Sequence, residues 1–123
     1  MGHPPGQDDF GMPDRVGFEF LLLEPFVEYS DMVFRKPFFD KEEIDRSIGR
    51  KTPERIQRER NHTHLFLYVA DIAIQRQWAE ELERNWRKRI ATEFPKFEAR
   101  TAWDDNGQEV ILTFWVVTRS AAA

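Results

Sequence analysis

Residues 71–94 read DIAIQRQWAEELERNWRKRIATEF, and the spacing within this stretch decides the fold. Ile74, Trp78, Leu82, Trp86, Ile90 and Phe94 recur every four residues, with mostly Glu, Arg, Lys and Gln between them. Side chains four apart share a helix face, so the spacing predicts one long amphipathic α-helix. A helix turns about 100° per residue, so the row drifts about 40° per step and winds about halfway round the helix. Ala79 and Ala91 keep the stripe joined. That winding predicts a helix wrapped by a curved sheet, or one whose two ends pack on different elements. Asp71 stands at the N-cap position and Pro95 stops the run after Phe94. Glu80 with Arg84, and Glu83 with Arg87, are i,i+4 pairs in the favourable order. At about 1.5 Å per residue the helix is about 35 Å long, the width of a small domain.

Moving outward, His62 to Ala70 alternates as a strand. Thr63, Leu65, Leu67 and Val69 form one face, and His62, His64, Phe66 and Tyr68 the other. Both faces carry apolar bulk, which predicts an interior strand. On the other side of the helix, Phe97 to Thr118 reads as a hairpin. Asn106-Gly107 is a preferred pair for a two-residue type I′ turn. That register sets Trp103 opposite Val110, Thr101 opposite Leu112, Ala99 opposite Phe114 and Phe97 opposite Val116, an apolar face throughout. The second face then carries Glu98 with Trp115, Arg100 with Thr113 and Ala102 with Ile111. Asp104 falls opposite Glu109, a like-charge pair with a cost.

Upstream, Val16, Phe18, Phe20 and Leu22 alternate with Gly17, Glu19, Leu21 and Leu23, which predicts a strand ended by Pro25. Phe26 to Phe34 continues as a second extended piece, with Ser30-Asp31 as a turn or bulge. Asp40 is an N-cap with Glu43 at the capping-box position and Gly49 at the stop, which predicts a short helix. Thr52-Pro53 repeats the start signal for a second, highly charged one. The expected fold is therefore a single small α+β domain over residues 15–119. A mixed or antiparallel sheet of about four strands packs on the long helix, with two short helices in the 40–60 region. Two topologies satisfy the pattern: a right-handed parallel crossover from the middle strand to Phe97, or an antiparallel sheet gripping the helix. Residues 1–14, rich in Pro, Gly and Asp, are expected to form a flexible tail, and residues 120–123 another.

Composition narrows the function classes. The 123 residues suit one domain, and the lack of cysteine excludes disulfides, cysteine zinc sites and thiol catalysis. A net charge of −4 argues against a strong nucleic-acid binder. No apolar run approaches the ~20 residues that span a bilayer, and no signal-peptide core follows the first residues. A cytoplasmic protein with no membrane partner is expected. The 14% aromatic content implies a heavily aromatic core, a sticky surface, or both.

Four constellations are candidates for function. His62 and His64 share one side of a strand at a chelating spacing, but the third histidine is His3, so the ligand set is incomplete and no metal or cofactor is expected. Arg50, Lys51, Arg55 and Arg58 belong to a basic run suited to phosphate or nucleic acid. Glu54–Arg58 and Arg55–Glu59 pairing would make it an ordinary solvated face instead. Trp78, Trp86 and Trp103 suit core positions more than a pocket. Ile111, Thr113 and Trp115 fall on the hairpin's second face, where a single layer offers nothing to pack on. No catalytic triad, phosphate loop or dinucleotide fingerprint is present. The leading expectation is a non-enzymatic interaction domain that forms a homodimer, or binds another protein, through that face. The rival is a small-molecule-binding or enzymatic fold with a pocket between the long helix and a curved sheet. Its polar groups would be His62, His64, Tyr68 and Arg100. Weak nucleic-acid or phosphate binding by the basic run ranks third.

Overall fold

The computed structural model describes residues 15–119. The expected tails, residues 1–14 and 120–123, lie outside the described residues. The chain is α+β, as its patterning predicts. In order it forms helix α1 (Arg15–Leu23), strands β1 (Phe26–Tyr29) and β2 (Met32–Arg35), and helices α2 (Lys41–Ser47) and α3 (Pro53–Arg60). Strand β3 (His62–His64), the long helix α4 (Ile72–Glu93) and strands β4 (Phe97–Asp105) and β5 (Val110–Thr118) follow. All strand pairs are antiparallel: β1 with β2, and a three-stranded sheet in the order β3-β5-β4. Since β3 and β4 each run antiparallel to β5, they are parallel to one another. The β3–α4–β4 connection is thus a crossover with β5 inserted between its strands, which joins the two topologies left open by the sequence.

Helix α4 forms as its spacing predicts. The Asp71 carboxylate accepts from the N–H groups of Ala73 and Ile74 at 2.9 and 3.1 Å, satisfying two orphan donors of the first turn. Trp78, Leu82, Trp86 and Ile90 are buried against β4 and β5, while Ile74 and Phe94, at the ends of the winding row, are half-buried. Glu83 and Arg87 approach to 3.7 Å, but among the described residues Glu80 and Arg84 form no ion pair. The inner sheet face supplies Phe97, Ala99, Val110, Leu112, Phe114 and Val116 to the same core, as expected. Asp40 and Thr52 cap α2 and α3 through the N–H groups of Glu43 and Arg55, and Gly49 takes a left-handed φ of 89° beyond α2.

Three expectations are overturned. The Val16–Leu23 stretch is helical. Nearly every residue there is apolar, so periods of 2 and 3.6 fit equally, and tertiary contacts choose. Phe18 packs on Trp78 at 4.5 Å between ring centroids, and Leu21 is fully buried. The Trp86 indole and Arg89 guanidinium donate to the carbonyls of Leu21 and Leu22, which α1 leaves free at its C-terminal end.

Second, the His62–Ala70 strand stops at His64 and lies at a sheet edge rather than inside; Leu65–Leu67 is a 3₁₀ turn. Leu65 enters the core, whereas Phe66 and Leu67 are exposed.

Third, Trp103 pairs with Leu112 and Asp105 with Val110, two positions from the expected register. A type I′ turn needs positive φ at both central residues. At the hairpin tip only Gly107 has it, at 87°, so the loop is four residues, Asn106–Glu109. The Asn106 carboxamide oxygen accepts from the N–H groups of Gln108 and Glu109 at 2.9 and 2.8 Å and holds that loop. A shift of two keeps every side chain on its face, so the apolar pattern cannot distinguish the registers. It also releases Asp104 from Glu109. The two-residue turn with paired positive φ occurs instead at Ser30 and Asp31, at 54° and 61°, and gives the β1–β2 hairpin.

Two buried amides join the hairpins. Arg119 N–H donates to the Lys96 carbonyl, so residues 117, 115, 113 and 111 of β5 turn their main-chain groups to β4, and 116, 114, 112 and 110 turn away. Gln57 accepts from Val116 N–H at 3.0 Å and donates to the Val116 carbonyl at 3.3 Å, as a strand residue would. Asn61 donates to the Phe114 carbonyl, Thr63 of β3 lies opposite Leu112, and Gln75 accepts from Val110 N–H. Gln57 and Asn61 also bond the N–H and carbonyl of Val33 on β2, and Asn61 accepts from Arg35 N–H. The three amide side chains are fully buried. They satisfy a sheet edge that no long strand covers.

Candidate functional site

The cleft beside β3 is built where α3 ends and the chain turns toward α4. It has a volume of ≈ 290 Å³ and is lined by Arg35, Phe38, Arg60, His62, His64 and Tyr68, among others. The floor is a buried charge network. The Arg35 guanidinium, 2% exposed, meets the Glu24 carboxylate through two N–H groups and donates to Thr63 Oγ1 at 2.6 Å and the His62 carbonyl at 3.2 Å. Its carbon lies 4.5 Å from the Phe38 ring centroid. Such a pair holds because each charge keeps its partner and its remaining donors are satisfied. Nothing in the spacing of Glu24 and Arg35 announces the pair, which the β1–β2 hairpin brings together.

Above the floor, the imidazoles of His62 and His64 meet edge to face at 5.0 Å. His64 Nδ1 lies 2.9 Å from Glu109 Oε1, a contact that fixes the ring's orientation. Among the described residues no three His, Asp or Glu side chains gather as a metal site. Three of the four residues assigned to a ligand site, His62, His64 and Tyr68, therefore line one cleft. Arg100 does not join them: it stands on β4, two strands away, with its Nε 3.3 Å from Glu98. The space between α4 and the sheet, where a pocket was expected, is filled by the buried core side chains.

The basic run is largely committed to its own acids. Lys51 and Arg55 hold Glu59 at 2.7 and 3.0 Å, and together, Lys51 first, they keep its carboxyl below the usual range. Arg58 pairs with Glu54 at 3.1 Å and lies 4.4 Å over the Trp115 ring. Arg50 is exposed and, among the described residues, makes no ion pair. Both helical pairs of the solvated-face reading are formed.

The hairpin's outer face is the second candidate. With α4 on the inner face, Ile111, Trp115, Val117 and Ala102 stay partly exposed on the other side; Thr113 is buried between its neighbours. From α3, Arg58 lies over the Trp115 ring on this face. The outer edge of β4 is open from Thr101 onward; Phe97 is fully buried and Ala99 is 7% exposed. Residues 98, 100, 102 and 104 turn their main-chain groups to β5, so those of Ala99, Thr101 and Trp103 face outward, and among the described residues nothing pairs with them. Among the described residues no helix is long and apolar enough to cross a membrane. In comparisons with known proteins, the chain matches no family model, no curated protein and no solved structure.

Proposed function

We propose that this chain is a non-enzymatic protein-interaction domain that self-associates through its C-terminal hairpin. The observation that carries the reading is the hairpin's outer surface: a partly exposed apolar row of Ile111, Trp115 and Val117 beside a strand edge whose outward main-chain groups are unpaired among the described residues. An apolar patch with an open edge of this kind is a common route to symmetric homodimers. Sedimentation velocity on the wild type and on Trp115→Glu tests it. The wild type dimerises at micromolar concentration, and the variant, with a carboxylate in the middle of the hairpin surface, dimerises at least about tenfold more weakly while keeping its circular dichroism. A wild type that stays monomeric at 100-fold higher concentration overturns the reading.

A second reading, a small-ligand cleft, draws support from the convergence of His62, His64 and Tyr68 over Arg35. His64→Ala then removes chemical-shift changes caused by small carboxylate probes at His62 and Tyr68, with an unchanged melting temperature. Unperturbed wild-type spectra at millimolar probe discard it.

A further inference from the structure

Resting on the self-association reading, we infer that two copies pair edge to edge through β4, antiparallel and in one register, with the two-fold axis at Ala102. The edge is suited to it in three respects. Pairing with β5 runs one to one from Phe97 to Asp105, so no bulge deflects the strand. The strand contains neither Pro nor Lys, and the charges it does carry, Glu98, Arg100, Asp104 and Asp105, are of both signs, so they deter a mismatched neighbour but can pair with a matched one. The other long edge, that of β5, is closed by Gln57, Asn61, Gln75 and β3, whereas among the described residues nothing pairs with the outward main chain of β4, and Glu83 and Arg87 of α4 reach the Thr101 hydroxyl only.

Charge selects the register. The outer face of β4 presents Glu98, Arg100, Ala102 and Asp104 in turn. In a two-fold antiparallel pairing, residue i faces residue 2c − i of the other copy, where c is the residue on the axis. An axis at Arg100 opposes two arginines, and one at Thr101 opposes Glu98 and Asp104. An axis at Ala99 matches Glu98 with Arg100 but centres on a buried residue and leaves Asp104 alone. An axis at Ala102 pairs residues 100–104, clear of the buried Ala99, and sets Arg100 opposite Asp104 twice, once on each side. Among the described residues Asp104 has no ion pair, and Arg100 has a half-exposed contact with Glu98 at 3.3 Å. The even-numbered positions are then the non-hydrogen-bonded pairs, whose Cα atoms approach to about 4.5 Å and whose side chains lie closest. Thr101 and Trp103, with main-chain groups facing outward, supply about four hydrogen bonds across the seam. The result is a continuous six-stranded sheet with an α4 helix from each copy on one face. Trp115, opposite Arg100, borders the seam.

Native mass spectrometry and sedimentation of two charge variants, alone and mixed, test this. In Arg100→Asp the seam opposes two acids twice, and in Asp104→Arg two bases twice, so each variant dimerises at least about tenfold more weakly than wild type. Mixed at equal concentration, they form a heterodimer in which both contacts are again of opposite sign, at wild-type affinity or better. Both positions are exposed, so both variants keep the wild-type circular dichroism. Single variants as dimeric as wild type, or a mixture that stays monomeric, overturn the seam. If the wild type dimerises, the charge variants do not respond and Trp115→Glu does, the copies meet on the hairpin face and the self-association reading stands. A monomeric wild type sinks both.

Discussion

Replacing Gln57 with methionine isolates the bonds that hold the two hairpins together. Methionine keeps nearly the same length and volume but neither donates nor accepts strongly, so packing is conserved while the bridge is removed. Two buried N–H groups, of Val33 and Val116, lose their acceptor, and the Val116 carbonyl loses its donor. Each orphaned buried group costs about 1–3 kcal/mol, and partial relaxation brings the expected loss to about 3–5 kcal/mol. A domain of this size has about 5–15 kcal/mol in total, so the variant gives up a large fraction of its stability. Urea denaturation reads the change. With a slope of about 1–3 kcal/mol per molar, the midpoint falls by about 2 M. Hydrogen exchange adds a local signature, because the Val33 and Val116 amides lose their protection first. Gln57→Ala is worse still, since it adds a cavity. A methionine variant within about 1 kcal/mol of wild type would refute the reasoning and assign the junction to apolar packing around Ile56.

Two further perturbations follow from the charge geometry. Glu24→Gln keeps the shape of the floor but leaves the Arg35 charge buried without a counter-charge. Chemical denaturation should record a loss of about 3–5 kcal/mol, recovered in part by the double apolar replacement Glu24→Leu with Arg35→Met. Asp105 is held below its ordinary pKa of 3.8 by the Arg76 guanidinium and by the Gly107 N–H. A depressed folded-state pKa contributes stability that is present above 3.8 and is lost as pH falls through the folded value. In Arg76→Gln the carboxyl titrates closer to 3.8 by NMR and the acid limb of the stability curve flattens. An unchanged Asp105 titration would show that Arg76 is not its partner in solution.

Much of the candidate surface was legible before the structure, and the reason is local chemistry. The hairpin faces follow from strict alternation. His62 and His64 share a side by their spacing alone. Arg100 was misplaced because its distance from the cleft depends on strand order, with β5 inserted between β3 and β4. The Glu24–Arg35 floor and the bridging amides were missed for a similar reason. Their signal is faint: Gln57 and Asn61 are the uncharged polar residues, four apart, in and just after an otherwise mostly charged helix. Only the position of β2 beside β5 turns that pair inward.

By itself the sequence determined the elements whose energetics are contained within about a dozen residues. Helix α4, its Asp71 cap, the starts of α2 and α3 and the parity of the hairpin depend on contacts between near neighbours in the chain, which spacing records. Only the tertiary structure decided the rest. Arg15–Leu23 became a helix because Trp78, Trp86 and Arg89 receive it in that form. Residues 65–67 left the strand as the chain turned toward α4, where Gln75 takes the Val110 N–H. The hairpin register settled two positions away because the four-residue loop is held by the Asn106 side chain. In each case two local conformations of similar energy compete. Distant partners, worth a few kcal/mol together, select between them.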